Sequence, residues 1–301
     1  MKEDIHLKYL AVNRGDLLWG LAVNSVGSQT IAPGQAYPPS GHPSRYLFSV
    51  ERGRILNEYQ LLYIIRGAGV FRSAHLPSEV PLSAGSLFLL YPGEWHNYHP
   101  DPKTGWTEYW IGFNGSHMEN WVQNGFFRKE RPVINIGLQE AVVNLYEDAI
   151  TTAMGQESAF QQRLSGMVSH LLGLALFYDR KEVFSQVGDR INRAKMIISE
   201  EYRTISPEEL ASRLCMGYSN FRKVFKDYTG FSPAKYILEV RFSKVKEALT
   251  NTAMPVKEIA WDMGFENYDY FFTAFRRTVG MTPVSYRAVT QGTRKRAKTT
   301  G

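Results

Sequence analysis

The chain has 301 residues, 44% hydrophobic and 21% charged, which is the balance of a folded protein with room for two domains. Its single cysteine, Cys215, excludes an internal disulfide and a cysteine-rich zinc site and is typical of the reducing cytoplasm. The net charge of +6 is uneven: residues 1–188 carry 15 basic and 17 acidic side chains, whereas residues 189–301 carry 20 and 12. This excess in the last third suits a polyanion, although a solubilising surface would also carry part of it.

We expect neither a signal peptide nor a membrane-spanning helix in this sequence. Residues 1–16 are charged and lack the apolar run of a signal peptide. The most apolar stretch, Leu171–Tyr178, is much shorter than the ~20 residues of a spanning helix. We therefore expect a cytoplasmic protein with no membrane partner.

The first half of the chain has the pattern of short strands. Arg54–Arg66 runs into Gly-Ala-Gly, Gly85–Tyr91 stops at Pro-Gly, and Trp106–Phe113 follows a loop that contains Pro and Gly. Runs of β-branched and aromatic residues with this punctuation predict an antiparallel β-barrel or sandwich.

Residues 91–99 (YPGEWHNYH) combine one carboxylate, two histidines and three aromatic rings, which raises the question of a metal or catalytic site. His96 and His99 are two residues apart in a predicted loop, and the strand that ends at Gly-Ala-Gly offers no histidine. Zinc or iron needs at least one more fixed ligand. We therefore expect no metal site and no catalytic residue here, and a solvated or capping role for Glu94.

The strand over Trp106–Phe113 is more informative. Period-2 alternation places Trp106, Glu108 and Trp110 on one face. Two indole rings and a carboxylate suit a sugar, because rings pack on its C–H face and the acid accepts from hydroxyls. The alternative is a tryptophan-rich core with one glutamate at its rim. The opposite face carries Thr107, Tyr109, Ile111 and Phe113.

Two helices are predicted next, over 138–154 and 157–179, because apolar residues recur there at helical spacing. Their apolar stripe must be covered, either by a second copy of the chain or by the barrel. Residues 180–188 (RKEVFSQVG) resemble a connector, and the chain after about residue 189 has a helical pattern. The stripe includes Leu164, Met167, Val168, Leu171 and Leu172.

The C-terminal third contains an internal repeat, which indicates a duplicated structural unit. Leu210-Ala211 recurs as Ile259-Ala260, and five further positions recur 50 residues apart. In the first copy these are Phe221, Phe225, Gly230, Pro233 and Tyr236, and in the second they are Phe271, Phe275, Gly280, Pro283 and Tyr286.

The first copy has the pattern of a helix-turn-helix. Ser206 caps a helix that begins with Pro207, residues 215–217 make a short turn, and the next helix runs over about 219–229. Its outer face offers hydrogen-bond donors for phosphates and base edges. These are Ser219, Asn220, Arg222, Lys223 and Lys226.

The second copy begins at Pro255, turns at Gly264 and enters its second helix over about 267–278. Phe271 and Phe275 are expected to face inward. The outward candidates are Tyr268, Asp269, Phe272, Thr273 and Arg276.

Residues 259–287 (IAWDMGFENYDYFFTAFRRTVGMTPVSYR) closely resemble the signature of the AraC/XylS family of bacterial transcription regulators, and residues 206–241 match its first helix-turn-helix. The resemblance implies two such units held by a linking helix over about 233–249. Each unit would place one helix in successive major grooves of double-stranded DNA, ~34 Å apart. Paired DNA sites in turn imply a homodimer, which we expect to form through the apolar stripe of the two preceding helices.

The resemblance also assigns roles to the outward side chains. Many relatives carry a long basic residue at position 273, so Thr273 implies weaker reading by the second unit, and Asp269 either accepts from cytosine or repels phosphate. The tail RKRAK (294–298) is expected to be disordered and to attract DNA only nonspecifically. Base reading is expected from Ser219, Arg222, Lys223, Tyr268, Asp269 and Thr273, with Asn220 beside them. Phosphate contact is expected from Lys226, Arg241, Arg276 and Arg277.

The strand-rich half resembles the cupin-like, sugar-sensing barrel of arabinose-type regulators, through RGAG (66–69), PGEWHNY (92–98) and W-x-E-Y-W-x-x-F (106–113). Arg54, two residues from Arg52, would share its strand face. The relative's N-terminal arm, which closes over its sugar, cannot be mapped onto this sequence. The ligand contacts implied are Arg52, Tyr98 and Trp110, with Trp106 and Glu108 adjacent.

We therefore expect an α+β multidomain protein, with an N-terminal cupin-like β-barrel and two following helices, then an all-α domain with two helix-turn-helix units. The expected segments are 1–137 (ligand-sensing barrel with N-terminal arm), 138–180 (helical dimerisation region), 181–188 (linker), 189–290 (DNA-binding domain) and 291–301 (basic tail).

The expected function is a transcription activator controlled by a mono- or oligosaccharide, with DNA and RNA polymerase as partners and without cofactor or enzymatic activity. Two alternatives stay open: a regulator of the same build that responds to another signal, and a cupin-like enzyme fused to a DNA-binding domain. Stoichiometric iron, manganese or zinc in the purified protein would favour the enzyme.

Overall fold

The chain divides into two compact units, Met1–Glu182 and Val183–Gly301. The expected basic tail, RKRAK (294–298), lies outside the described residues. The computed structural model describes residues 5–38, 49–183 and 187–292.

Within the described residues, the first unit contains nine strands, all in antiparallel pairs. They join in the order β1-β2-β8-β4-β6-β9, while β5 and β7 also pair with β4, and β3 pairs with β7. The strands are β1 (Ile5–Tyr9), β2 (Ala22–Ile31), β3 (Arg54–Ile55), β4 (Tyr59–Ser73), β5 (Val80–Ser83), β6 (Ser86–Leu90), β7 (Trp95–Pro100), β8 (Trp106–Asn114) and β9 (Val133–Asn135).

Strand β4 curls the sheet. Its first half pairs with β6 and β8, and its second half pairs with β5 and β7. A register shift between Ile64 and Arg66, followed by Gly67 at φ +82°, bends the strand between these halves. A Cβ atom on Gly67 would lie 2.1 Å from the carbonyl oxygen of Gly105, so only glycine fits. The curled sheet encloses one apolar interior.

The sheet separates two apolar cores, and β8 contributes to both. Trp106 and Trp110 belong to the interior cluster, whereas Tyr109, Ile111 and Phe113 pack on the outer face of the sheet. The alternation predicted along this strand is therefore confirmed. Other interior members are Ile31, Leu62, Ile64, Phe71, Phe88 and Tyr98.

The described part of the first unit also contains four helices. The last two confirm the helices predicted over 138–154 and 157–179, and they cover the outer core. The four are α1 (Arg14–Leu18), α2 (Ser116–Gln123), α3 (Glu140–Gly155) and α4 (Phe160–Val183).

The apolar stripe of α4 packs in the outer core against the sheet, so the barrel covers it, and the dimerisation role of this helical region stays a prediction. A helical period shows which face is apolar but not what covers it. Gln161 fixes this face to the sheet at a bulge in β2: its side chain accepts from the backbone N–H of Val23 (3.0 Å) and donates to its carbonyl (2.9 Å). The stripe residues Leu164, Val168, Leu171 and Leu172 are buried, and Met167 is half-buried.

Two segments of residues 5–31 belong to the sheet, β1 and β2, and helix α1 lies between them. β1 pairs with β2 from Ile5, opposite Gln29, to Tyr9, opposite Ser25. β2 then pairs along β8. The first strand of the N-terminal segment is thus tied to the sheet, and an N-terminal arm over the ligand stays a prediction.

The second unit is helical throughout its described residues. Across the described parts of both units, no helix combines the length and apolar character that crossing a membrane requires. The helices are α5 (Gly188–Glu201), α6 (Pro207–Arg213), α7 (Tyr218–Thr229), α8 (Pro233–Asn251), α9 (Val256–Asp262), α10 (Tyr268–Val279) and α11 (Pro283–Thr290).

The two copies of the repeat have the same local structure, a helix-turn-helix. Cys215 (φ +52°) and Gly264 (φ +82°) hold equivalent positions in the two turns. Helices α7 and α10 each end at a left-handed glycine, Gly230 and Gly280. Each copy has its own apolar core, and the linking helix α8 packs into both. The phenylalanines at the centres of these cores are fully buried: Phe221, Phe225, Phe271 and Phe275.

Candidate functional site

Polar side chains from four strands converge inside the apolar barrel. Gln29 on β2 lies directly opposite Glu108 on β8, and Arg54 on β3 reaches Tyr98 on β7. Both Glu108 and Tyr98 are buried, at 1% and 5% exposure. A few polar groups that converge among apolar and aromatic side chains are the usual composition of a small-molecule site.

Arg54 is held by two side chains of β7. Its Nη2 donates to the Tyr98 hydroxyl (2.6 Å), its Nε donates to Nε2 of His96 (3.3 Å), and its guanidinium lies 5.5 Å from the centre of the Tyr98 ring. His96 Nδ1 lies 3.0 Å from the carbonyl oxygen of Glu94, to which it donates. Both nitrogens of this imidazole are therefore occupied within the protein.

Burial, followed by the charge of Arg54, lowers the pKa of His96 to about 3. His96 is thus a neutral acceptor that orients Arg54. The placement of His96 and His99 in a loop was wrong, because both lie on β7. Among the described residues, no group of three or more His, Cys, Asp or Glu side chains is arranged to hold a metal ion.

Arg52 does not reach the barrel interior, which corrects the ligand contact implied for it. It is exposed in the turn before β3, where its carbonyl accepts from Nε1 of Trp95 (2.8 Å). Gly53 follows at φ +67°. The strand begins only after this turn, so Arg54 occupies the inward position. Sequence reasoning noted Arg54 but could not locate the turn.

Glu108 is a buried carboxyl group with one engaged oxygen. Its Oε1 accepts from Nε2 of Gln29, while Oε2 has no hydrogen-bond partner. The buried indole N–H of Trp106 lies close enough to this carboxyl group to lower its pKa as a hydrogen-bond donor, although the geometry is poor. Burial raises the pKa of Glu108 to about 7, opposed by Gln29, by the charge of Arg54 and by Trp106.

Aromatic rings line the same interior. Tyr98 and Trp106 are stacked with ring centres 6.2 Å apart, and Tyr37 lies against both, at 6.2 Å and 5.8 Å. Trp110 is buried at 6% exposure. Tyr37 lies outside the strands, where no periodic pattern marks a side chain as inward, so the sequence analysis missed it. Gln29 was missed because only the pairing of β2 with β8 brings it to Glu108.

Glu94 has a structural role that differs from the solvated or capping role expected. It is 5% exposed, and its carboxylate lies 2.9 Å from Nδ1 of His75 and forms an ion pair with Nζ of Lys129 (3.5 Å). These partners come from segments distant in sequence, so no local pattern reveals them. The three side chains tie together loops of the first compact unit.

In the second unit, the outer face of α7 carries the predicted polar set, and all five side chains are exposed. Arg222, Lys223 and Lys226 form no ion pair among the described residues, whereas basic side chains elsewhere do. For example, Arg213 pairs with Glu201 (2.7 Å). Unpaired cations beside polar side chains suit phosphates and base edges. The remaining members of the set are Ser219 and Asn220.

The outer face of α10 is less basic at its N-terminal end. Asp269 and Thr273 are exposed there, and Arg276 and Arg277 are exposed in the last turn. Tyr268 is only half-buried, and its ring packs 5.8 Å from Phe271. The two helix-turn-helix copies therefore present different side chains on equivalent helices.

Arg241 has a structural role, so its expected phosphate contact is corrected. Its guanidinium donates to the carbonyls of Tyr202 (2.6 Å), Arg203 (2.8 Å) and Gly264 (3.1 Å) and lies 5.7 Å from the ring centre of Phe265. Burial lowers its pKa from the ordinary value. These contacts fix the turn of the second helix-turn-helix from α8.

Comparison with known proteins gives matches to both units. Residues 40–175 match the family described as AraC-like ligand binding domain, and residues 210–288 match a helix-turn-helix domain. The arabinose operon regulatory protein of Salmonella typhimurium is 24% identical, over 80% of this chain and 87% of its own length.

Two further relatives have similar coverage. The Msm operon regulatory protein of Streptococcus mutans is 24% identical over 89% of this chain and 92% of its own length. The raffinose operon transcriptional regulatory protein RafR of Pediococcus pentosaceus is 26% identical over 80% and 88%. The similarity thus extends across both units.

Proposed function

The chain belongs to the AraC/XylS family of DNA-binding transcription regulators and carries its ligand-binding domain, and from this premise we propose that it is an activator whose effector is a sugar. The carrying observation is the barrel interior, where aromatic rings surround a few convergent polar groups. Two relatives named for arabinose and raffinose operons support the same class of effector.

The proposed contacts divide by chemistry. Trp106 and Trp110 offer ring faces for the C–H surfaces of a sugar, and Arg54, Tyr98 and Glu108 offer hydrogen bonds to its hydroxyls. In this proposal Arg54 replaces Arg52, whose side chain is exposed in the turn before β3.

A thermal-shift screen with L-arabinose, D-xylose, D-galactose and raffinose tests the effector. A ligand at 100 times its Kd stabilises the folded state by about 2.7 kcal/mol, which raises the melting temperature measurably. Arg54→Ala should abolish the shift, and Arg52→Ala should retain it. If no sugar raises the melting temperature, the effector is not a sugar of these classes. If Arg52→Ala alone abolishes the shift, the assigned pocket is wrong.

For DNA, we propose that α7 reads bases through Ser219, Asn220, Arg222 and Lys223. The second helix-turn-helix contributes through Tyr268, Asp269 and Thr273 on α10. Cations at the C-terminal ends of the two helices contact phosphates and set the position of the protein on the duplex. These are Lys226 on α7 and Arg276 and Arg277 on α10.

We propose a homodimer, because paired DNA sites favour two copies of the binding unit. The inner stripe of α4 is covered by the barrel, so the outer face of this helix is the surface we assign. It exposes Gly166, His170, Gly173 and Phe177, the last at 57% exposure. As an activator, the DNA-bound dimer would then contact RNA polymerase.

A further inference from the structure

A cleft lies on the outer side of the sheet, between the sheet and helix α3. It has a volume of about 470 Å³, which is within the range of small-molecule sites. Further along the same strands, Val26 and Ile111 belong to the outer apolar core, whereas the side chains at the cleft are mostly polar. These polar residues include Ser28 and Thr30 on β2, Thr107 and Tyr109 on β8, and Glu147 and Thr151 on α3.

The cleft and the barrel interior lie on opposite faces of the same two strands. Successive side chains of a strand point to opposite faces. Gln29 borders the cleft, but its side chain donates to Glu108 inside the barrel. Its neighbours Ser28 and Thr30 therefore lie on the outer face, opposite residues of β8 that also line the cleft. One layer of sheet thus separates this cleft from the proposed sugar site.

Hydroxyl groups form the floor of the cleft. The Oγ1 atoms of Thr30 and Thr107 lie 3.1 Å apart, so the two side chains share one hydrogen bond and keep a further donor and lone pairs for a ligand. Ser28 adds a hydroxyl group from β2, and Thr151 adds one from the wall. Groups that both donate and accept match the hydroxyl groups of a carbohydrate.

Glu147 supplies a negative charge on the wall of the cleft. Its carboxylate accepts from the Tyr109 hydroxyl (3.1 Å) on the outer side of β8, and it forms no ion pair within the described part of the chain. Burial, followed by this carboxylate, raises the pKa of Tyr109 to about 12, so the phenol stays the donor. His6 on β1 also lines the cleft, and no lysine or arginine occurs among its described lining residues. The cleft therefore favours a cationic group over an anionic one.

We propose that this outer cleft is a second small-molecule site, and that it takes a hydroxylated ligand with a positive charge, which is the chemistry of an amino sugar. The ammonium group binds Glu147, and the ligand hydroxyls bind the hydroxyl groups of the floor. This site goes beyond the proposed sugar effector, because its contacts lie on the other face of the sheet.

Saturation-transfer NMR titrations on the full chain test this inference, with D-glucosamine, D-glucose and D-glucose 6-phosphate as probes. The probes share a sugar ring and differ in charge, and at about pH 6 the amine is protonated. Titrations on the wild type and on Arg54→Ala, in which the barrel should not bind sugar, separate the two sites.

Three further substitutions, each made in both backgrounds, locate the ligand. Glu147→Gln removes the charge of the wall, and Thr107→Val removes a hydroxyl group of the floor while keeping the shape of the side chain. Asp148→Asn is the matched control, because Asp148 is exposed at the next position of α3 and lies outside the lining of the cleft.

In Arg54→Ala, D-glucosamine should bind about fivefold more tightly than D-glucose, the upper value for an ion pair open to solvent. D-glucose 6-phosphate should bind more weakly than either. Glu147→Gln should remove this preference, Thr107→Val should weaken both sugars, and Asp148→Asn should change neither. D-glucosamine should bind the wild type and Arg54→Ala alike.

Two results would overturn the inference. One is the absence of saturable D-glucosamine binding, or binding that Glu147→Gln leaves unchanged, which would make the cleft a solvated surface only. The other is D-glucosamine binding that Arg54→Ala removes, which would place the ligand in the barrel. Neither result decides whether the barrel binds its own sugar effector, which the thermal-shift screen measures separately.

Discussion

Three ionisable side chains in the barrel interior are controlled by their surroundings in different ways. Burial disfavours charge on both Glu108 and His96, so the pKa of the acid rises to about 7 and that of the base falls to about 3. Arginine carries a permanent charge in proteins, and Tyr98 and His96 accept the hydrogen bonds of Arg54. The interior therefore offers one fixed cation and one carboxyl group whose charge depends on pH.

Glu108 should make the ligand-free protein less stable as the pH rises. Its pKa is about 7 in the folded state and 4.5 without burial. Between these values the unfolded chain loses the proton while the folded state keeps it, so the free energy of unfolding falls. The loss reaches about 3 kcal/mol by pH 8 and is absent below about pH 4.

Denaturant unfolding of Glu108→Gln beside the wild type, from about pH 5 to about pH 8, measures this loss. The variant should gain relative stability with rising pH. The matched Glu147→Gln variant should follow the wild type. A constant difference between Glu108→Gln and wild type over this range would contradict the assigned pKa.

The sequence predicted single residues well where a local pattern defines them. Alternation along β8 gave Trp106, Glu108 and Trp110 their common face. The sequence did not show where Arg52 lies, because the turn before β3 decides which side chain faces the interior. In that turn Trp95 packs against Gly53 and donates to the Arg52 carbonyl. The sequence also did not predict the surroundings of Glu94, Gln29 and Tyr37, because their contacts come from segments distant in sequence.

Helices α7 and α10 are equivalent elements with different outer faces. The first carries three cations without ion pairs among the described residues, and the second begins with Asp269 and has its arginines in the last turn. Base edges are read near the N-terminal end of a recognition helix. We therefore expect α7 to provide most of the sequence preference and α10 to contribute chiefly through phosphates.

Arg222→Ala should weaken binding to selected DNA by about 1–3 kcal/mol and reduce discrimination between sequences. Lys226→Ala should weaken binding to all sequences alike. It should also reduce the salt dependence of the affinity by the amount that corresponds to about one phosphate contact. Fluorescence anisotropy on DNA selected from a random pool measures both effects.

Lys244→Ala is the matched control, because Lys244 on α8 is already paired with Glu247 (3.1 Å). Its DNA affinity should equal that of the wild type. A different result would contradict this assignment: if Arg222→Ala leaves sequence discrimination unchanged while Thr273→Ala removes it, α10 and not α7 reads the bases.

At the scale of elements, capping residues and apolar periodicity predicted the helices but not the surfaces against which they pack. Ser206 and Pro207 begin α6 as predicted, because capping is local. The stripe of α4 was identified correctly, yet its burial against the sheet depends on the barrel and on Gln161. Arg241 was assigned to DNA for the same reason: a charge on a helix does not reveal the carbonyls that surround it.

For the whole molecule, sensing and DNA binding occupy separate compact units. We propose that a sugar in the first unit shifts the population of dimer arrangements and so changes how the two DNA-binding units are presented. Linkage requires the converse as well: DNA that favours one arrangement must change the affinity for the sugar by the same factor.

The most direct measurement is the affinity of the full chain for DNA that carries one or two selected half-sites, with and without a saturating sugar found by thermal shift. We expect the sugar to change the affinity for two-site DNA by about 5–150-fold, the usual range of coupling between sites. The affinity for one-site DNA should change much less, because that DNA binds only one protomer of the dimer. Equal affinity and an unchanged footprint on two-site DNA, with the sugar bound, would contradict ligand control of DNA binding.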